Sequence, residues 1–409
     1  MKGRGAVAEV AEGRGENSKV PGAVSDRMRR WGLTAVMASA VTTGLTVGMT
    51  VPLIALTMTA AGAGGALVGL NATMPALGVL VTAPLAPWLI AGLGLVPTLV
   101  LGCLASAASL VLFPVFDSMV SWFSLRLGLG FGLALLWVVS ETWLSRLALA
   151  GSRGRMVGLY STFWTAGMAA GPLLLQVTGL AGEWPFAISA MLVLLAAVPP
   201  VLGRAAAGGR QTGSGHRQWS SALFGMARGT ILAGFTAGFV EISLFSLLPL
   251  YGLAAGLTRA DAVLMLSVFA AGGFFAQVPF GWLADRLGPA RLLIGAALVG
   301  LMAAAGLASA AATGWVLWPL LFVWGGVVSG FYTLGLIQLG RRFRRAGLTQ
   351  ANVLFIMAYT LGTLAGPVVA GTALELWPVH GLPLVAVVVY CGFLLAVISG
   401  REPRHHGME

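Results

Sequence analysis

The sequence predicts an all-α membrane protein whose twelve transmembrane helices form two six-helix bundles. Three observations carry that prediction: too little charge for a soluble fold, twelve long apolar runs, and a pattern in the first half that returns in the second. Of 409 residues, 58% are hydrophobic and only 9% charged, against roughly a quarter charged in soluble globular domains. A soluble fold of this size must cover a large surface with polar groups, which this chain lacks. Its 58 glycines follow no fixed period; small residues are what membrane helices use to approach one another closely.

The apolar runs fall at about 31–56, 63–88, 94–114, 119–142, 155–178, 184–203, 228–251, 261–283, 290–312, 316–338, 350–373 and 381–399. Most exceed the ~20 residues that span a bilayer. The second and third are joined by an uncharged loop, so a fused reading would give eleven spans; the repeat argues for twelve. Residues 1–29 read as a disordered polar tail without the apolar core of a signal peptide. Residues 30–203 form the first bundle, 204–227 a hydrophilic linker, 228–400 the second bundle, and 401–409 a tail. No soluble catalytic domain is inserted.

Charge placement predicts the orientation. All but two of the 24 basic residues, Arg126 and Arg259, lie in the tails and alternate loops that share a side with the N-terminus. The other side carries Asp117, Glu183, Asp261 and Glu375 at or near the span ends. By the positive-inside rule both termini are cytoplasmic. The net charge of +11 follows largely from this topology. There is no basic stripe interleaved with aromatics of the kind nucleic acid requires.

Offsetting the first half by 194 or 195 residues aligns Gly167-Met168-Ala169-Ala170-Gly171-Pro172 with Gly362-Thr363-Leu364-Ala365-Gly366-Pro367. The same offset places Trp88, Leu89, Leu93 and Gly94 on Trp282, Leu283, Leu287 and Gly288. Parallel six-span repeats surround an axis along the membrane normal, with the substrate path between them.

Gly281, Asp285, Arg286, Gly288 and Arg291 fit Gly-x-x-x-Asp-Arg-x-Gly-x-x-Arg, which resembles the signature loop of the major facilitator superfamily. Gly158, Gly167, Gly171 and Pro172 resemble that family's antiporter-associated pattern in the fifth helix, without its closing Gly-Gly. Arg126, Gly128 and Gly130 partly resemble its intramembrane arginine motif. Ser140-Glu141-Thr142-Trp143-Leu144 with Arg153-Gly154-Arg155 is similar to the YcaD-like branch of bacterial transporters, and the overall pattern is drug-antiporter-like. The resemblance implies the major facilitator fold over residues 30 to 400. It also implies that Asp285 and Arg286 latch helix ends when the inner side is closed, with Arg291 part of the same gating loop. The first half departs from the signature, with Ala91 and Gly92 at the positions of Asp285 and Arg286.

Charges inside a membrane are costly, so ionisable residues there are functional candidates. Glu241, near the middle of the seventh span, is a candidate for proton coupling or for binding a cation; the alternative is a structural acid hydrogen-bonded between helices. Arg126 keeps its charge and needs a partner: an anionic substrate group, a carboxylate such as Glu241, or a fixed interhelical ion pair. Glu141 stands 15 residues from Arg126, ~22 Å along a helix, and is instead placed for a gating ion pair with Arg146, Arg153 or Arg155. Gln277 is a further candidate for substrate binding or proton coupling, and Gln277, Gln176, Gln338, Asn71 and Tyr359 are candidates for hydrogen bonds in the cavity, each also open to ordinary interhelical bonding. Gly158, Gly167, Gly171, Pro172, Gly362, Gly366 and Pro367 are expected to serve helix packing and bending.

No phosphate-binding Gly-x4-Gly-Lys-Ser/Thr loop is present, and the four histidines with Cys103 and Cys391 form no metal or catalytic pattern. The expectation is a monomeric, cofactor-free secondary transporter of a bacterial inner membrane, not an enzyme. It would export a small organic solute by alternating access, coupled to protons. Uptake or facilitated diffusion is the alternative, and a non-transporting membrane receptor a further one.

Overall fold

The computed structural model describes residues 26–147, 153–180, 182–204, 228–342 and 346–399. Among these, the regular structure is helical. The first half comprises α1 (Asp26–Ala60), α2 (Gly65–Leu93), α3 (Leu95–Leu112), α4 (Met119–Leu147), α5 (Arg153–Thr178), α6 (Trp184–Leu195) and α7 (Val198–Leu202). The second comprises α8 (Arg228–Ala254), α9 (Arg259–Leu287), α10 (Pro289–Thr313), α11 (Leu317–Arg342), α12 (Ala346–Leu376) and α13 (Gly381–Ser399).

Counting α6 and α7 as one span, eleven helices among the described residues are long and apolar enough to cross a membrane. The twelfth, α5, has its apolar run interrupted by Ser161, Thr162, Thr165 and Gln176. Large apolar side chains such as Val120, Met302, Val388 and Leu395 are exposed on the outside of the bundle, where a bilayer solvates them.

Both halves have one topology. α1 packs on α5, α2 on α4, and α3 on α4 and α6; correspondingly α8 packs on α12, α9 on α11, and α10 on α11 and α13. Lipid gives helices little hydrophobic drive to associate, so close contact depends on small residues. The glycines that allow it recur at the 194- or 195-residue offset. A methyl group on Gly78 would run into Gly130, and one on Gly130 into Pro75. In the second half a methyl on Gly272 would strike Phe322, and one on Gly325 would strike Phe269, the counterpart of Pro75. Gly167 and Gly171 seat α5 on α1, and Gly362 and Gly366 seat α12 on α8, in the same way.

The uncertain boundary between the second and third spans is a one-residue break. Gly94 has φ +96° and its N–H reaches Ile90 O; its counterpart Gly288 has φ +84° and reaches Ala284 O. A side chain is disfavoured in that conformation, so one glycine ends each helix and starts the next.

Two boundaries differ from the sequence expectation. α1 starts at Asp26, so the last residues assigned to the N-terminal tail are helical. The sixth span is broken after Leu195 and resumes at Val198, because Pro199 and Pro200 supply no N–H to continue the ladder. The expected tails, apart from residues 26–29, and the linker from residue 205 lie outside the described residues.

Candidate functional site

The two halves meet mainly through α2 with α12 and α5 with α9, and also through α1 with α8. The face on which α1 begins and α13 ends is called here the terminal face. On the opposite face the α2–α12 seam is made of glycine. A methyl on Gly371 would meet Gly65 O, and one on Gly69 would meet Pro367 O. The Glu375 carboxylate then crosses between halves and accepts the Ala66 N–H at 3.0 Å. The first turn of a helix has unpaired N–H groups and a positive dipole end, so a carboxylate from the other half suits it.

The α5–α9 seam uses the polar residues that interrupt α5. Gln176 Nε2 donates to Ala260 O at 3.0 Å near the opposite face. Toward the terminal face, Gln277 accepts from Thr162 at 3.4 Å and donates to Thr165 at 3.3 Å. Gln277 and Gln176 are thus both brought to the half interface. Thr162 and Thr165 had not been singled out, although polar residues three apart on one helix face are a readable signal.

Glu241 is half-buried on α8, and its Oε2 accepts the Tyr359 O–H at 3.1 Å. The Tyr332 ring stands edge-on to Tyr359, with centroids 5.2 Å apart. Tyr332 lies within electrostatic reach of both Glu241 and Glu141. Glu241, Tyr359 and Tyr332 thus bring polar groups of α8, α12 and α11 together at mid-depth. Glu141 itself is exposed and accepts from Trp137 Nε1 at 2.9 Å. The side chains of Arg146, Arg153 and Arg155, expected as its partners, lie outside the described residues.

Arg126 is buried, 4% exposed, and is not brought to Glu241. Among the described residues its Nε and Nη1 have no hydrogen-bond partner, and neither does Nδ2 of buried Asn71. Both residues line a cavity of about 10 Å³ with Val51, Ile54, Met58, Val68 and Ser246. Ser246 comes from the second half, so this cavity also lies between the halves. Gln338 Oε1 on α11 is buried without a partner among the described residues.

In the signature loop, Asp285 pairs with Arg341 at 2.8 Å, joining the ends of α9 and α11 within one half; Asp285 is 79% exposed. Arg286 stacks on Trp282, 3.8 Å from the ring centroid, and Arg291 is exposed on the first turn of α10. Exposed pairs contribute about 0–1 kcal/mol. Replacing Asp285 by alanine is therefore expected to leave the thermal unfolding midpoint within a few degrees of the parent, so a larger loss would show the pair to be structural.

Among the predicted packing residues, Gly167, Gly171, Gly362 and Gly366 are at helix contacts, and Pro172 and Pro367 lie inside α5 and α12. Gly158 departs from the expectation: it is exposed, with open space where a side chain would be. It precedes Gly167 by nine residues, which at about 100° per residue places it on the far side of α5.

A duplicated six-helix bundle with isolated polar groups at the seam between its halves is the build of a membrane transporter. A sequence profile for the Major Facilitator Superfamily matches residues 36–367, and the chain belongs to that family. It is similar to an "Uncharacterized MFS-type transporter YfkF" of Bacillus subtilis, 27% identical over 367 residues, covering 88% of this chain and 92% of the relative. It is also 26% identical to YcaD of Salmonella paratyphi B over 325 residues, covering 77% and 82%.

Two solved structures share the fold. A single-residue mutant of the nucleoside transporter NupG has a TM-score of 0.77 at 13% identity, covering 91% of this chain and all of that one. A bacterial homologue of the lysosomal transporter Spinster has a TM-score of 0.73 at 15% identity, covering 92% and 96%. The chain is accordingly a multi-pass membrane transporter rather than an enzyme.

Proposed function

We propose that this protein exports a small organic solute across a bacterial inner membrane by alternating access, with both termini cytoplasmic and protons as the coupling ion. The observation that carries this reading is the half-buried Glu241, held by Tyr359 at mid-depth in a bundle whose halves meet at small-residue seams. A carboxylate in that position can load a proton from one side and release it to the other as the seams open in turn. Outward direction rests on the fifth-helix Gly-x8-Gly-x3-Gly-Pro resemblance. The charge bias of the loops supports the orientation. The glycine seam and the Glu375–Ala66 contact support a state closed on the external side.

On this reading Asp285 changes its partner when the cytoplasmic side closes, and Asp285→Ala weakens that closed state. The accessibility of the cytoplasmic cavity to thiol reagents would then rise; unchanged labelling would remove Asp285 from gating.

The test of the whole reading is a flux assay in proteoliposomes with a panel of organic anions, cations and neutral solutes, nucleosides included. Solute accumulation is expected in inside-out vesicles under a pH gradient and is expected to vanish when the gradient is collapsed. Accumulation that persists would exclude proton coupling, and accumulation only in right-side-out vesicles would reverse the direction.

A further inference from the structure

We infer that Arg126 anchors the carboxylate of an organic anion with an apolar body, making this protein a carrier of anionic solutes; the inference rests on the transporter reading above. Arg126 is buried on α4, and among the described residues two of its guanidinium nitrogens have no partner. Among the described residues no carboxylate lies within ion-pair distance of it. Glu241 is engaged by Tyr359, five residues from Ser246, or ~7.5 Å of helix rise. A guanidinium stays charged in proteins, and a buried charge without a partner is destabilising. Stability alone therefore does not account for Arg126 at this place.

The surroundings specify the missing group. The three unpartnered nitrogens at the cavity, two on Arg126 and one on Asn71, are all donors. Ser246 adds a hydroxyl that can also donate. The fixed positive charge of Arg126, with its two free donors beside the Asn71 amide nitrogen, calls for a negatively charged group that accepts hydrogen bonds, and carboxylates match guanidinium geometry with paired hydrogen bonds. The remaining lining is apolar: Val51, Ile54, Met58 and Val68. A hydrocarbon or aromatic body attached to the carboxylate fits that lining.

The cavity is about 10 Å³ in this state, smaller than any organic solute. It contains residues from α1, α2, α4 and α8, so separation of the halves enlarges it. Arg126 lies seven residues into α4, about 10 Å along the helix from its outer end. Asn71 lies six residues beyond Gly65 on α2, beneath the glycine seam. A solute held there is sealed from the opposite face when α2 and α12 meet.

The experiment measures thermal unfolding of the purified protein in a non-ionic detergent. The probes are benzoate and octanoate, their neutral amides, and benzenesulfonate and phenylphosphonate. A carboxylate is expected to raise the unfolding midpoint of the wild type, while its amide does not. Arg126→Lys should bind at least tenfold more weakly, and Arg126→Gln should lose the shift. Arg126→Gln should also raise the ligand-free midpoint, because an unpaired buried charge has been removed.

Four binding results would overturn the proposal. They are equal stabilisation by carboxylate and amide, no stabilisation by either carboxylate, stabilisation by sulfonate or phosphonate alone, and undiminished carboxylate binding by Arg126→Gln. A ligand-free midpoint that falls in both variants would make Arg126 a structural tie and overturn it too. The transporter reading fails separately: carboxylate binding without flux defeats transport and leaves the site. Neutral-solute flux unchanged in Arg126→Gln, with no carboxylate binding, does the reverse.

Discussion

Replacing Glu241 by glutamine is expected to abolish the pH-gradient-driven component of transport while leaving downhill flux in place. Glutamine has nearly the same shape and can still accept a hydrogen bond from Tyr359, which reaches Glu241 at 3.1 Å. It cannot carry a proton between the two sides. A gradient of one pH unit supplies about 1.4 kcal/mol per proton, enough for roughly tenfold solute accumulation. The variant should instead stop at equal concentrations inside and out. Tyr359→Phe should keep accumulation but slow it several-fold, since about 0.5–1.5 kcal/mol of hydrogen bonding is removed from one stage of the cycle. Radiolabelled solute counts against imposed pH gradients check both. Tenfold accumulation by the glutamine variant would remove Glu241 from coupling.

The features legible in sequence are the periodic and local ones. Twelve spans followed from apolar length, and the repeat also settled the boundary at Gly94, because its counterpart Gly288 sits in an unmistakable turn. The family followed from Gly281, Asp285, Arg286, Gly288 and Arg291. The break in the sixth span was missed, although the adjacent Pro199 and Pro200 carry a signal for it, since prolines interrupt a helix ladder. Contacts between distant segments were not readable. Glu375 was visible only as an acid near a span end, while its partner Ala66 is 309 residues away. Nothing in either segment specifies that the two helix ends meet. Arg341 looked like one of several basic loop residues, yet it is the partner of Asp285. Glu241 and Arg126 were both found as buried charges, but no pattern could say that one had Tyr359 and the other no partner.

With both termini cytoplasmic, as proposed, substituting Gly371 by leucine is expected to hold the external side open and stop transport. In the present state α12 lies against α2 with Gly65 and Gly371 backbone to backbone, so that even a methyl group on Gly371 would meet Gly65 O. Nearby, Gly69 leaves no room for a side chain beneath Pro367 O. Backbone atoms on both sides cannot swing aside as a flexible side chain would. The bulk must be accommodated by parting the helices, which also separates Glu375 from Ala66. Overpacking a tight contact costs about 1–3 kcal/mol, and that penalty falls only on the state in which the seam is closed. The closed population should then fall by roughly 5- to 150-fold relative to the open one. A reporter cysteine at Ser246, in a background with Cys103→Ala and Cys391→Ala, lies beneath the seam. Its labelling by a membrane-impermeant thiol reagent from the external side should accelerate in Gly371→Leu, with Gly371→Ala intermediate. Retention of the parent's elution volume in size-exclusion chromatography would show that the variant is folded. If labelling and transport both match the parent, the α2–α12 seam is not the external gate, and closure must rest on the other contacts between the halves, α5 with α9 and α1 with α8.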